Sequence, residues 1–383
     1  MNSLCVLFLL PFQLAGHATL IVVCHNWWYG RLIGRRLTDA VQLIHLALLV
    51  LMPFLWVSIL WDQYPFVQLI GQYYSYLSLA GFGLLIIVTI VRYLRIVPSE
   101  VVCLGWEHLN PQSYLGHSGS GPGWRGRLAM IPGNDVLHPV LRRYELNLGS
   151  LDPILNGLKI LHISDFHFGK TPTREWYQAV MRMCGMESPD LVLFTGDLVD
   201  GLAQHDWIPS TLGHLSASST SVGILGNHDT WYEPKMIERR LRNIGFQMVG
   251  GSVLQIQLRG KPICVMGNEL PWRGSPPVVP EEFKNQFLIA LCHSPDEATW
   301  AAQNGAQLIF SGHVHGGQIR IPLIGPVIMP SRYGRRFDSG WFRIGKSLLH
   351  VSCGLGGSQP VRWCCPPEVT MITLRGSGHD QSC

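Results

Sequence analysis

The side chains able to do chemistry in this chain fall in a few tight groups: Asp165 and His167; Asp197; Asn227, His228 and Asp229; His293; and His313 with His315. In Ser164-Asp165-Phe166-His167 a carboxylate and an imidazole stand two residues apart, and at an extended strand end they point the same way. Gly196-Asp197 puts a carboxylate in a tight turn, where its two oxygens could bridge two ions. Gly226-Asn227-His228-Asp229 offers an amide oxygen, an imidazole and another carboxylate, and Gly312-His313-Val314-His315 offers two imidazoles at alternate positions. One such group alone says little, because a histidine ending a strand is more often structural. Five groups in one chain point to one shared metal-binding site.

Each group follows a short apolar run. The runs are residues 159–163, 191–194, 222–225, 287–291 and 307–310. Continuous apolar runs of this length read as strands buried on both faces, and ligands gather beyond the carboxyl ends of such strands. A strand is also expected at Arg142 to Leu148, and helices at 173–183, 234–243 and 295–304, where apolar spacing meets a Gly or Pro boundary.

The rest of the chain is organised differently. Of 383 residues only 14% are charged, against roughly 25% in an ordinary soluble protein, and the deficit lies before residue 98. Residues 3–24, 40–61 and 76–97 approach the length needed to cross a bilayer and carry aromatic residues at their ends. Pro11, Gln13 and His17 interrupt the first stretch; a cleaved signal peptide is its competing reading, but it lacks a basic leader. Arg31, Arg35 and Arg36 follow the first stretch, and Arg92 and Arg95 lie at the end of the third. The positive-inside rule therefore places the N-terminus outside and the C-terminal domain in the cytoplasm.

Residues 1–97 are thus expected to form a membrane region of about three helices, 98–137 a Gly/Pro/Ser-rich linker, and 138–383 the catalytic domain. The net charge of +4 is small and scattered, with no basic run interleaved with aromatics, so nucleic acid is not an expected partner. The ten cysteines form no C-x-x-C pair and read as small core residues of a reducing compartment.

In combination the motifs D-x-H, G-D, G-N-H-D, H and G-H-x-H resemble those of the calcineurin-like metallophosphoesterases, over roughly residues 138–375. The continuations His293-Ser294-Pro295-Asp296, Gly316-Gly317-Gln318-Ile319-Arg320, and Gly354-Leu355-Gly356 with Pro360-Val361-Arg362 look like the bacterial membrane-associated branch. Some members of that branch cleave the diphosphate of UDP-2,3-diacylglucosamine. The resemblance implies an α/β fold, a four-layer sandwich of two mixed β-sheets flanked by helices, here preceded by a helical transmembrane segment. It also implies two divalent metal ions: one on Asp165, His167 and His315, the other on Asn227, His293 and His313, with Asp197 bridging. Oxygen and imidazole donors suit Mn, the first expectation, or Fe, Zn or Ni.

The implied reaction is attack of a metal-bridging hydroxide on a phosphodiester or diphosphate. His228 is then expected to protonate the leaving oxygen. Asp229 either orients it or caps the helix that follows. Arg332, Arg335 and Arg336 could fork onto a diphosphate or form a solvated basic loop. A lipid-linked phosphoester at the membrane is the leading substrate class. A broad or protein-directed phosphatase and a catalytically silent membrane scaffold are the alternatives.

Overall fold

The computed structural model describes residues 3–31, 35–54, 56, 65–283 and 286–376. The chain divides into two units, Met1–Ile96 with Ile321–Arg336, and Val97–Arg320 with Phe337–Cys383.

The first unit contains helices α1 (Ser3–Tyr29), α2 (Arg35–Leu51) and α3 (Pro65–Tyr93). Residues Phe8–Tyr29, Arg36–Phe54 and Pro65–Tyr93 are each long and apolar enough to cross a membrane. The polar residues that interrupt the first stretch pack against a neighbouring helix: Gln13 and His17 are buried and hydrogen-bond Ser75 and Tyr74 of α3. Such interhelical polar contacts hold helices together where apolar faces gain nothing from leaving lipid. The third helix begins at Pro65, earlier than the expected residue 76. Tyr73, Tyr74 and Tyr76, read as an interfacial boundary, lie inside it, and Pro65 supplies a favourable first helical position. The expected second span ran to residue 61; residues 57–61 lie outside the described residues.

The second unit is built on strands β1 (Val101–His108), β2 (Val140–Leu148), β3 (Lys159–Ile163), β4 (Leu191–Phe194), β5 (Thr220–Gly223), β6 (Phe246–Met248), β7 (Val253–Leu258), β8 (Lys261–Asn268), β9 (Leu288–Cys292) and β10 (Leu308–Ser311). After the short β11 (Arg320–Ile321) and β12 (Gly325–Pro326) come β13 (Gly340–Ile344), β14 (Ser347–Val351) and β15 (Glu368–Gly376). Its helices are α4 (Pro111–Leu115), α5 (Gly123–Ala129), α6 (Arg174–Gly185), α7 (Trp207–Ser218), α8 (Pro234–Asn243) and α9 (Ala298–Gln303).

One sheet runs β1-β2-β15-β3-β4-β5-β6 and the other β13-β14-β10-β9-β8-β7. Strands β3 to β6 are parallel, as are β14, β10, β9 and β8, while antiparallel pairs close the edges at β1–β2, β13–β14 and β7–β8. Both sheets are therefore mixed. Between them lies an apolar layer, with Ile160, Leu193 and Val222 from one sheet meeting Val265, Ile289 and Phe310 from the other. A second core packs Trp176, Val180, Leu212 and Ile237 of α6, α7 and α8 onto the outer face of the first sheet. This is the expected two-sheet α/β architecture.

The segment 98–137 departs from its reading as a linker. It supplies β1, paired antiparallel to β2 along Val101–His108, and its Gly119 carbonyl accepts from Thr173 at the start of α6. No alternation marks this strand in the sequence, because only Val101 and Gly105 are even half-buried. Main-chain hydrogen bonds hold this edge strand.

Candidate metal centre

The parallel strands of both sheets aim their carboxyl ends at one cleft. Asp165 and His167 follow β3, Asp197 follows β4, Asn227 and His228 follow β5, His293 directly follows β9, and His313 and His315 follow β10. Asp165, His167, Asp197, His313 and His315 all have positive φ, between 47° and 67°. An extended strand end was expected for Asp165 and His167; the loops after β3, β4 and β10 instead pass through the left-handed region. Non-glycine residues rarely occupy that region, and such local strain concentrates at functional sites. Gly196, with φ of 97°, lies close against the Asn227 loop: a Cβ there would lie 2.4 Å from the Gly226 nitrogen.

Among the described residues three groups of donor atoms result: Asp197 belongs to two of them, and His167, Asp200 and His228 form the third. Asp165, His167, Asp197 and His315 offer atoms within 4.8 Å of one another, and so do Asp197, His293 and His313. Oδ2 of Asp197 lies 3.4 Å from Nε2 of His167 and 3.3 Å from Nε2 of His293. Nε2 of His167 is 3.2 Å from Nε2 of His315, and Oδ1 of Asn227 is 3.0 Å from Nε2 of His293. Ligands held about 2.1 Å from a single cation sit about 3.0 to 3.5 Å from each other, so these separations fit shared ions.

The second ring nitrogens fix which atoms face the cleft. His293 donates Nδ1–H to the Thr195 carbonyl at 2.7 Å, and His167 donates Nδ1–H to Oδ1 of Asp200 at 2.9 Å. Each ring then presents Nε2 inward, an arrangement common to metal-binding imidazoles. Converging lone pairs and buried carboxylates are costly to hold together without a positive charge. Burial opposes protonation of His167 and His293, yet Asp200 and Asp197 outweigh it at His167, and Asp197 does so at His293. Both are pushed up to about 9. Burial would raise the Asp197 carboxyl, but His293, His228 and His167 hold it well below the ordinary range.

His228 sits at the rim, with its side chain one-fifth exposed and its Nδ1 donating to Oδ1 of Asp200 at 2.7 Å. Asp229 is not its partner. Both Asp229 oxygens are buried and accept from the backbone nitrogens of Asp197 (2.9 Å), Leu198 (2.8 Å), Val199 (3.2 Å) and Gly226 (2.9 Å). Nor does Asp229 cap α8, whose N-cap position is Glu233. Its carboxylate ties the Asp197 turn to the Asn227 turn, because four N–H groups of two ligand loops converge where only a buried anion satisfies them all.

Asp200 is the functional residue the sequence reading missed. Its signal was its place three residues after Asp197, in Gly196-Asp197-Leu198-Val199-Asp200. Trp272 was also missed; its ring lies 4.7 Å from that of His313 and 5.5 Å from that of His293, walling one side of the site. Arg362, quoted for the resemblance alone, is fully buried and donates to the carbonyls of Cys353 (2.7 Å), Gly354 (3.2 Å) and Gly356 (2.6 Å). The Gly356 nitrogen in turn donates to the Asp165 carbonyl, so this arginine braces the first ligand loop from behind.

Residues 158–317 match the family described as calcineurin-like phosphoesterase. Among curated relatives, metallophosphoesterase YkuE of Bacillus subtilis is 30% identical over 237 residues, covering 58% of this chain and 80% of the relative. Phosphodiesterase YaeI of Escherichia coli is 26% identical, covering 56% and 82%. UDP-2,3-diacylglucosamine pyrophosphatase LpxG of Chlamydia trachomatis is 27% identical, covering 60% and 87%. The chain is a hydrolase and belongs to the calcineurin-like metallophosphoesterase family.

Proposed function

We propose that this protein is a membrane-anchored, dinuclear metal phosphoesterase cleaving a phosphodiester or diphosphate bond, with a lipid-linked nucleotide of the UDP-2,3-diacylglucosamine kind as its substrate class. The observation that carries the reading is the Asp197 carboxylate, shared by two clusters of imidazole and oxygen donors. Asp165, His167 and His315 would hold one ion and Asn227, His293 and His313 the other. Bound divalent cations would supply a water of lowered pKa as nucleophile and a positive clamp for phosphoryl oxygens. Mn is the ion we favour.

The chain's own residues do the rest. Asp200 fixes the His228 ring through Nδ1, leaving Nε2 to pass a proton to the departing oxygen. Asp229 holds the two ligand turns in register. Three apolar helices would keep the catalytic unit beside the bilayer on the cytoplasmic face, where a lipid-anchored substrate is concentrated. The likeness to LpxG supports the substrate class. The test is hydrolysis by the purified full chain of UDP-2,3-diacylglucosamine against bis-p-nitrophenyl phosphate, with Mn, Fe, Zn or Ni added. Metal-dependent cleavage of the lipid nucleotide with a higher kcat/KM supports the reading. Cleavage of the simple diester alone removes the lipid substrate, and no cleavage of either removes the enzyme.

A further inference from the structure

Six residues beyond His315 the chain leaves the catalytic unit, and residues 321–336 belong to the helical unit before it returns at Phe337. The attachment is specific. Asn26, near the end of α1 and only 4% exposed, donates Nδ2 to the Val327 carbonyl at 3.1 Å and accepts at Oδ1 from the Met329 nitrogen at 2.9 Å. Gly30 abuts the same segment so closely that a Cβ there would lie 2.3 Å from the Ser331 carbonyl carbon. Gly325 likewise lies against the Arg92 guanidinium at the end of α3. A buried amide whose oxygen and nitrogen both serve another segment's backbone makes a fixed joint, since losing it would strand polar groups in apolar surroundings.

The segment so fixed is apolar and basic. Leu323 is 75% exposed, Ile321 44% and Ile328 45%, while Arg332 and Arg336 are also exposed. It carries three arginines and no acidic residue. It docks at the ends of α1 and α3 that carry Arg31 and Arg92, the ends that the basic-residue bias places on the cytoplasmic side. Apolar side chains beside guanidinium groups, continuous with membrane helices, match the boundary between acyl chains and anionic headgroups.

We infer that residues 321–336 form an interfacial segment that rests in the bilayer surface, with Ile321, Leu323 and Ile328 entering the acyl boundary and Arg332 and Arg336 meeting anionic lipid phosphates. The inference rests on the reading of α1 to α3 as membrane spans. It gives the loop that follows the last metal-ligand motif a direct contact with lipid.

The test is photo-crosslinking of the full chain in nanodiscs containing a diazirine-bearing phosphatidylglycerol, followed by trypsin and mass spectrometry. Cleavage after Arg320 and Arg332 isolates residues 321–332 as one peptide. Lipid adducts are expected on this peptide as well as on those bearing α1 and α3. A double substitution, Leu323→Asp with Ile328→Asp, should cut the adduct on residues 321–332 at least fivefold and leave hydrolysis of a soluble diester within twofold of wild type. Adducts on the helices but not on residues 321–332 would overturn the inference and leave the membrane reading standing. Adducts on neither would remove both.

Discussion

Nδ1 of His228 lies 2.7 Å from Oδ1 of Asp200, the same oxygen that takes Nδ1–H of His167 at 2.9 Å. One carboxylate thereby orients both a donor of the first cluster and the rim histidine. Asp200→Ala is expected to lower turnover about 10- to 100-fold, the usual cost of losing a partner that orients a ligand. His228→Ala should lower it by about 100-fold or more while both metals stay bound. Steady-state rates beside metal content check both, and full activity in His228→Ala rejects its role as proton donor.

Asp229 and His228 are neighbours with different work, and stability separates them. Removing the Asp229 carboxylate strands four backbone N–H groups in the interior, each costing about 1–3 kcal/mol when unpaired. Asp229→Ala should therefore lose at least about 3 kcal/mol. His228→Ala should stay within about 1 kcal/mol of wild type, because its ring is partly solvated. Denaturant unfolding of the detergent-solubilised chain measures both; equal stability would contradict the bracing role.

Metal binding should be steeply pH-dependent. His167 and His293 are pushed up to about 9 by neighbouring carboxylates, so an entering cation must displace their protons. Affinity for Mn should rise about tenfold per pH unit for each proton displaced, up to pH about 9. The metal-free protein should behave oppositely. A raised histidine pKa stabilises the fold fully below about 6.5, and that gain is lost as pH climbs toward 9. Mn titrations and thermal midpoints at pH 6.5, 7.5 and 8.5 test this, and a pH-independent affinity would count against histidine ligation.

Acid sensitivity should come from another pair, buried between the sheets. His162 and His350 meet through their Nδ1 atoms at 2.9 Å, and His162 Nε2 lies 2.9 Å from the Thr195 hydroxyl. Burial lowers His162 to about 3 and His350 well below its ordinary value. The unfolded chain then takes up these protons first as pH falls through 6.5, and stability drops by about 1.4 kcal/mol per pH unit for each ring that stays neutral. Replacing both, as His162→Phe with His350→Leu, should flatten the loss between pH 6.5 and 5. An unchanged slope in unfolding experiments would place the acid sensitivity elsewhere.

The sequence revealed the donors that follow buried strands, because an uninterrupted apolar run ending in a carboxylate or imidazole marks both the strand and its exit. That is why Asp165, Asp197, His293 and His313 were legible together. It hid what depends on contacts between loops. Asp200 lies in no periodic run, and the exchange of roles between Asp200 and Asp229 is decided by which backbone nitrogens converge on which carboxylate. A sixth such strand, β8, ends in no imidazole or aspartate of the set, so neither it nor Trp272 in the loop beyond is marked in the sequence. Edge strand β1 was invisible because main-chain pairing, unlike burial, leaves no pattern in side chains.

The central claim is that Asp197 joins two cations in one site, and the most direct measurement is the metal content and EPR spectrum of the Mn-loaded full chain beside its Asp197→Ala variant. Two Mn ions per chain with a spin-coupled spectrum are expected for the wild type, falling to one or fewer, uncoupled, in the variant. A wild-type chain that binds a single ion, or a variant that keeps a coupled pair, would contradict the claim.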